Sequence, residues 1–138
     1  MRILIIDDDL GITQFFSQAA AGRGFDQIET AESGEEAVAC VMRRTYDLIT
    51  LDIRMPGLSG LEVIALLRNL SPHAVIAVAS GFIPEDISDE VASCIDVLLP
   101  KPVSLDTFLE LLDGTATVAE TMESIRQLGV SIALAPNR

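Results

Sequence analysis

The sequence predicts an α/β protein: a doubly wound, five-stranded parallel sheet in the order 2-1-3-4-5, with helices on both faces. Three observations predict it. Short apolar runs alternate five times with helical patterns. The connections between them are short, and right-handed crossovers leave few topologies. Polar residues able to do chemistry stand where the strands end: Asp7-Asp8-Asp9, Asp52, Ser80 and Lys101.

The elements follow in chain order. Arg2 to Ile6 reads as a buried strand. Ile12, Phe15, Phe16, Ala19 and Ala20 carry the spacing of a one-sided helix, stopped by Gly22 and Gly24. Gln27 to Ala31 is a short strand. Ser33 and Glu36 form a capping box for a helix with Ala37, Val38, Val41 and Met42 inward. Tyr46 to Leu51 is the third strand, ending at Asp52. A turn over Met55-Pro56-Gly57-Leu58-Ser59-Gly60 follows, then a helix capped by Ser59 and Glu62 that buries Leu61, Ile64, Ala65 and Leu67. Ala74 to Ala79 has no polar residue, so both faces of that strand should be covered. Ile87, Val91 and Cys94 mark a short fourth helix, and Val97 to Leu99 the fifth strand. Ser104 caps a fifth helix with Leu105, Phe108, Leu109 and Leu112 on one face.

Residues 1–114 form the expected domain. Residues 115–138 extend beyond it, with Val118, Met122, Ile125 and Leu128 on an amphipathic helix, Gly129 as its stop and an apolar run from Val130 to Leu134. Twenty-four residues are too few for an output domain, so the extension is expected to dock on the domain or to mediate dimerisation.

Composition narrows the function. The chain has 138 residues and a net charge of −12. That charge disfavours direct binding to nucleic acid or to anionic membranes, both of which need basic surfaces. No apolar run approaches the roughly 20 residues of a membrane span, and no signal-peptide core is seen, which points to the cytoplasm. Cys40 and Cys94 lack metal-ligand spacing and read as buried free thiols in helices. His73, after Pro72, reads as a solvated loop residue. Eight of the nine basic residues are arginine, and Lys101 is the only lysine.

In open α/β sheets, ligands bind outside the carboxyl ends of the strands, near the switch in strand order. Strands 1 and 3 are neighbours there, so Asp7, Asp8 and Asp52 should converge. Clustered carboxylates repel, and one of them is driven towards protonation unless a cation intervenes. Mg²⁺ accepts one or two carboxylates, a carbonyl and waters. A carboxylate is also a nucleophile able to form an aspartyl-phosphate, for which Lys101 and a hydroxyl would help neutralise the phosphoryl oxygens.

The segments Ile3-Leu4-Ile5-Ile6-Asp7-Asp8-Asp9, Leu51-Asp52-Ile53-Arg54-Met55-Pro56-Gly57-Leu58-Ser59-Gly60 and Pro100-Lys101-Pro102 closely resemble the response-regulator receiver family of two-component signalling. The resemblance runs from Met1 to about Asp113. It implies that Asp52 is the phosphoacceptor and that Mg²⁺ is held by Asp8, by Asp7 mostly through water, by Asp52 and by the Arg54 carbonyl. It implies that Lys101 pairs with Asp52 at rest and with the phosphoryl group afterwards, before a Lys101–Pro102 bond that is often cis. The implied partners are a histidine kinase or phosphotransfer protein and a downstream protein on the helix 4–strand 5–helix 5 face. The implied chemistry is self-phosphorylation and autodephosphorylation, without enzymatic turnover.

This chain departs from the family pattern in two places. Strand register allows either Ser80 or Ala79 at the switch-hydroxyl position; Ser80 is preferred because a methyl group cannot bond a phosphoryl oxygen. With that choice the segment from Ser80 to Lys101 is one residue short, which points to a truncated or irregular fourth helix behind Ile83 and Pro84. Leu98 stands where many receivers have the Tyr or Phe that turns inward on activation. These departures keep open a phosphorylation-independent interaction module. A phosphatase of the haloacid-dehalogenase type, using Asp7 and Asp9, is the remaining alternative. Gly11 stands where that class has Thr or Val, and its later acidic motif is missing.

Overall fold

The computed structural model describes residues 1–54, 60–81 and 87–130. The turn from Met55 to Ser59 with its expected cap, the Phe82-Ile83-Pro84 loop and the run from Ser131 to Leu134 lie outside the described residues.

The chain alternates strand and helix five times: β1 Arg2–Ile6, α1 Leu10–Gly22, β2 Gln27–Ala31, α2 Gly34–Arg43, β3 Leu48–Leu51, α3 Gly60–Leu70, β4 Val75–Ser80, α4 Asp89–Ala92, β5 Val97–Pro100 and α5 Leu105–Arg126. The strands form one sheet in the order β2-β1-β3-β4-β5, with every pair parallel. Alternation along the strands divides the core into two layers. Ile3, Ile5, Leu48 and Ala77 face α1 and α5, where the rings of Phe16 and Phe108 stack at 4.3 Å. Leu4, Ile6, Ile49, Leu51, Ile76 and Val78 face the other way, towards Ala37 and Val41 of α2 and Val63, Ile64 and Leu67 of α3. The central strands β1, β3 and β4 are buried almost throughout. Fully covered strands leave function to their ends.

The helices start on the expected caps. Ser33 Oγ accepts from the Glu36 amide, and Glu36 reaches back to the amide of Glu32. Ser104 Oγ accepts from the Thr107 amide. Helix α1 ends with Arg23 as its cap and Gly24 at φ +97°, a left-handed turn that glycine adopts without strain.

Several side chains differ from the sequence reading. Phe15 is half-exposed, and Thr13 is buried in its place, its hydroxyl donating to the Leu10 carbonyl. That local bond removes most of the cost of burying the hydroxyl. Met42 and Ala65 point to solvent, while Cys40 and Val63 take the inward positions. Cys94 lies just past α4 and is only partly buried. Helix α4 is a single turn, capped by Ser88 and without a buried residue, in keeping with the expected truncation. Helix α5 runs without a break across Gly114 to Arg126, so the first part of the extension is a continuation of that helix.

Candidate functional site

Register builds the site. Ile6 of β1 is level with Leu51 of β3, so the next residue on each strand, Asp7 and Asp52, leaves the sheet at the same height. The Asp52 amide still donates to the Ile6 carbonyl, and the Asp7 amide to that of Ala31. Both carboxylates are thus pinned by backbone and are largely buried, at 3% and 8% exposure. Asp8 is exposed beside them. One oxygen of each of Asp7, Asp8 and Asp52 lies within 4.8 Å of the others.

Lys101 enters from the loop after β5. Its amide donates to the Ser80 carbonyl, and a cis Lys101–Pro102 bond follows. Its Nζ lies 2.7 Å from Asp7 Oδ2 and 3.3 Å from Asp52 Oδ2. The resemblance implied a pair with Asp52; the lysine bridges both carboxylates and is nearer to Asp7. Burial opposes the charge on Lys101, but its bond to Asp7 and the charges of Asp7 and Asp52 outweigh this and hold its pKa above the usual lysine value.

The remaining carboxylate oxygens are also oriented. Asp7 Oδ1 accepts from the Asp9 amide, and Asp52 Oδ1 from the Arg54 amide. The Asp9 side chain caps α1 through the Gly11 amide, so Asp9 is spent on the helix and forms no pair with Asp7. That arrangement does not favour an Asp7/Asp9 phosphatase centre.

Ser80 is buried at the end of β4. Ala79, with Asp7, Ile12, Phe16, Thr50 and Asp52, lines a small recess under the carboxylates. Ala79 is the alternative that strand register leaves open beside Ser80, and it is Ala79 that lines this recess. An apolar groove of about 390 Å³ opens beside Lys101, lined by Gly11, Ile12, Phe15, Phe16, Pro102 and Val103. The half-exposed ring of Phe15 stands in it.

Three carboxylates beside one ammonium, which pairs with two of them, leave a surplus of negative charge. Among the described residues no arginine or lysine pairs with Asp8. An all-oxygen donor set of this kind fits a hard divalent cation such as Mg²⁺. Among the described residues no helix is long and apolar enough to cross a membrane.

Comparison with known proteins agrees with this geometry. The family model for the response regulator receiver domain matches residues 3–113. The response regulator MprA of Mycobacterium leprae is 35% identical over 112 residues, which cover 79% of this chain and 48% of that protein. The chain thus spans about half the length of the curated relatives it matches. Among solved structures, the response regulator TrrA of Thermotoga maritima, in complex with Mg²⁺-BeF, is 33% identical with a TM-score of 0.72, covering 83% of this chain and 97% of that one. A Burkholderia pseudomallei response regulator with a phosphorylated aspartic acid and a calcium ion is 25% identical, TM-score 0.73, covering 95% and 76%.

Proposed function

The chain belongs to the response-regulator receiver family, and from that premise we propose that it is a Mg²⁺-dependent switch phosphorylated on Asp52. The observation that carries this reading is the bridged cluster: three carboxylates within 4.8 Å, with Lys101 Nζ between Asp7 and Asp52. That much unmatched negative charge, two of its three carboxylates buried, suits an added cation and a phosphoryl group.

The roles follow from position. The Arg54 amide holds Asp52 Oδ1, which leaves Oδ2 towards Lys101 as the attacking atom. In the transfer, an oxygen–phosphorus bond forms at Asp52. The bond from phosphorus to the donor's imidazole nitrogen breaks, and its electron pair stays on that nitrogen. Lys101 is already beside the attacking oxygen and meets the new charge on the phosphoryl group. Asp8, Asp7, Asp52 and the Arg54 carbonyl would hold Mg²⁺. When bound, the ion neutralises the carboxylates and the phosphoryl oxygens.

The donor is a sensor histidine kinase or a histidine phosphotransfer protein, and the output is a protein partner on the α4–β5–α5 face. There α4 is one turn without a buried residue and Leu98 is exposed, so a shift of α4 reports the modification. Ser80 supplies the switch hydroxyl. The position of Ala79 in the recess favours a second reading, an interaction module indifferent to phosphorylation.

Intact-mass detection with a small acyl-phosphate donor separates the two. A metal-dependent phosphoryl adduct is expected on the wild type and none on Asp52→Asn. Folded, Mg²⁺-binding protein that forms no adduct with this donor or with a cognate kinase would overturn the switch in favour of the second reading.

A further inference from the structure

We propose that Thr50 is a positioning residue for Asp52, acting through one buried water held under the carboxylates, a role that rests on Asp52 being the phosphoacceptor.

Thr50 is out of place in its strand. β3 reads Leu48-Ile49-Thr50-Leu51, and all four residues are buried. Thr50 is level with Ile5 on β1 and Ala77 on β4, so its flanks are apolar. It is 4% exposed. The other buried threonines, Thr13 and Thr115, sit on helices and donate to the carbonyls of Leu10 and Leu111 in the preceding turn. A strand offers no such acceptor, because its carbonyls point sideways into the sheet while its side chains stand perpendicular to it. Among the described residues the Thr50 hydroxyl makes no hydrogen bond. Burying a hydroxyl without a partner is costly, and valine or isoleucine at the same place would avoid the cost.

The recess under the site supplies the partner. Thr50 lines it together with Ile12, Phe16, Ala79 and both buried carboxylates, Asp7 and Asp52. Side chains alternate along a strand, so Asp52, two residues on, shares the face of Thr50, and Asp7 shares that of Ile5. Thr50 therefore lies one step below both carboxylates. The recess measures about 10 Å³, close to the least that admits one water. Ala79 makes the room. It follows Val78, the partner of Leu51, so it stands level with Asp52, where its methyl group is too short to fill the space.

One water completes the bonding. It accepts from the Thr50 hydroxyl and donates to one oxygen of Asp52 and one of Asp7. Three bonds are the usual complement of a buried water. Asp52 Oδ1 already accepts from the Arg54 amide, and Oδ2 lies 3.3 Å from Lys101 Nζ. Each carboxylate oxygen has a second lone pair to offer. A further bond from below fixes the plane of the carboxylate, so that Oδ2 meets the incoming phosphorus without first turning.

Two variants and one structure test this. Thr50→Val keeps the shape of the side chain and removes the hydroxyl; Thr50→Ser keeps the hydroxyl and removes a methyl group. With Mg²⁺ and a small acyl-phosphate donor, Thr50→Val should form the Asp52 adduct about tenfold more slowly per folded molecule at saturating donor, with half-saturation unchanged. Thr50→Ser should stay within about twofold of the wild type. A role in packing alone predicts the reverse order, since valine fills the site better than serine. A crystal structure of the metal-free wild type, at a resolution that shows waters, should place one water within hydrogen-bond distance of Thr50 Oγ1 and of both carboxylates, and Thr50→Val should lose it. A recess without water, a direct bond from Thr50 to either carboxylate, an undiminished rate in Thr50→Val, or a serine variant as slow as the valine one overturns the proposal. A wild type that forms no adduct sinks the switch reading instead; the density needs no phosphorylation and still decides whether Thr50 holds the water.

Discussion

Two charged clusters of this molecule resemble each other in composition and differ in balance. At the carboxyl ends of β1 and β3, three aspartates gather round one lysine that pairs with two of them. At the opposite end of the sheet, by the start of β4, Arg68 near the end of α3 is matched almost atom for atom. It donates to the carbonyls of Pro72, Ala74 and Cys94 and, at 2.7 Å, to Asp96 Oδ2. Asp96 in turn accepts from the Ile76 amide. This cluster ties α3, β4 and the segment after α4 together, and its charges sum to zero. The first keeps a surplus of negative charge, which suits the proposed Mg²⁺ ion and phosphoryl group. Balance distinguishes charge spent on architecture from charge held for chemistry.

The largest effect that tests this contrast is Arg68→Met. It should cost about 2 kcal/mol in urea unfolding, because several backbone carbonyls lose their donor, while the half-exposed carboxylate of Asp96 stays solvated. Adduct formation at Asp52 per folded molecule should not change. Next comes Mg²⁺ itself: at ten times its dissociation constant the ion should stabilise the wild type by about 1.4 kcal/mol. Arg68→Met should keep that increment when both are melted with and without chelator. Asp8→Asn should show the opposite sign from the arginine variant. In chelator it should gain about 0.5–1 kcal/mol through relief of repulsion, and it should lose most of the Mg²⁺ increment.

The smallest effect is alkaline. Lys101 has a folded pKa above its unfolded value, so its contribution is complete below the unfolded lysine range and lost as pH rises through the folded pKa. Tyr46, whose hydroxyl is pushed up first by burial and then by its neighbours Glu29 and Cys40, loses stability in the same direction. Unfolding titrations of Lys101→Met and Tyr46→Phe above neutral pH should each flatten part of the slope. If Lys101→Met leaves the slope unchanged, the lysine bridge adds nothing to the fold.

The sequence made the first cluster legible and left the second hidden, for a physical reason. A chemical centre needs particular side chains at strand ends, and Asp7, Asp8, Asp52 and Lys101 could be picked out one by one. Four of the five bonds from Arg68 reach for backbone carbonyls or rest on loop geometry, and every residue has a carbonyl. The preference of Lys101 for Asp7 over Asp52 is a matter of fractions of an ångström, which no pattern of residue types records. Strand positions were legible within two residues because apolar runs must be buried. Helix faces were less so: a 3.6-residue period allows neighbours such as Phe15 and Met42 onto the edge of the stripe, and packing decides. The continuity of α5 was missed at Gly114, whose cost of about 1 kcal/mol in a helix is too small to end one already anchored at both sides. Thr115, Thr117 and Thr121 bond back to the preceding turn and carry the helix on.

The bridging lysine has a practical consequence. It is the one side-chain amine in the chain, and it sits between two of the carboxylates. Apart from the N-terminus, an amine-reactive reagent or a lysine-selective isotope label therefore reports from one place only. A single resonance, or a single labelling rate, follows occupancy of the carboxylate cluster without any mutation, and the molecule carries its own gauge of the state it is in.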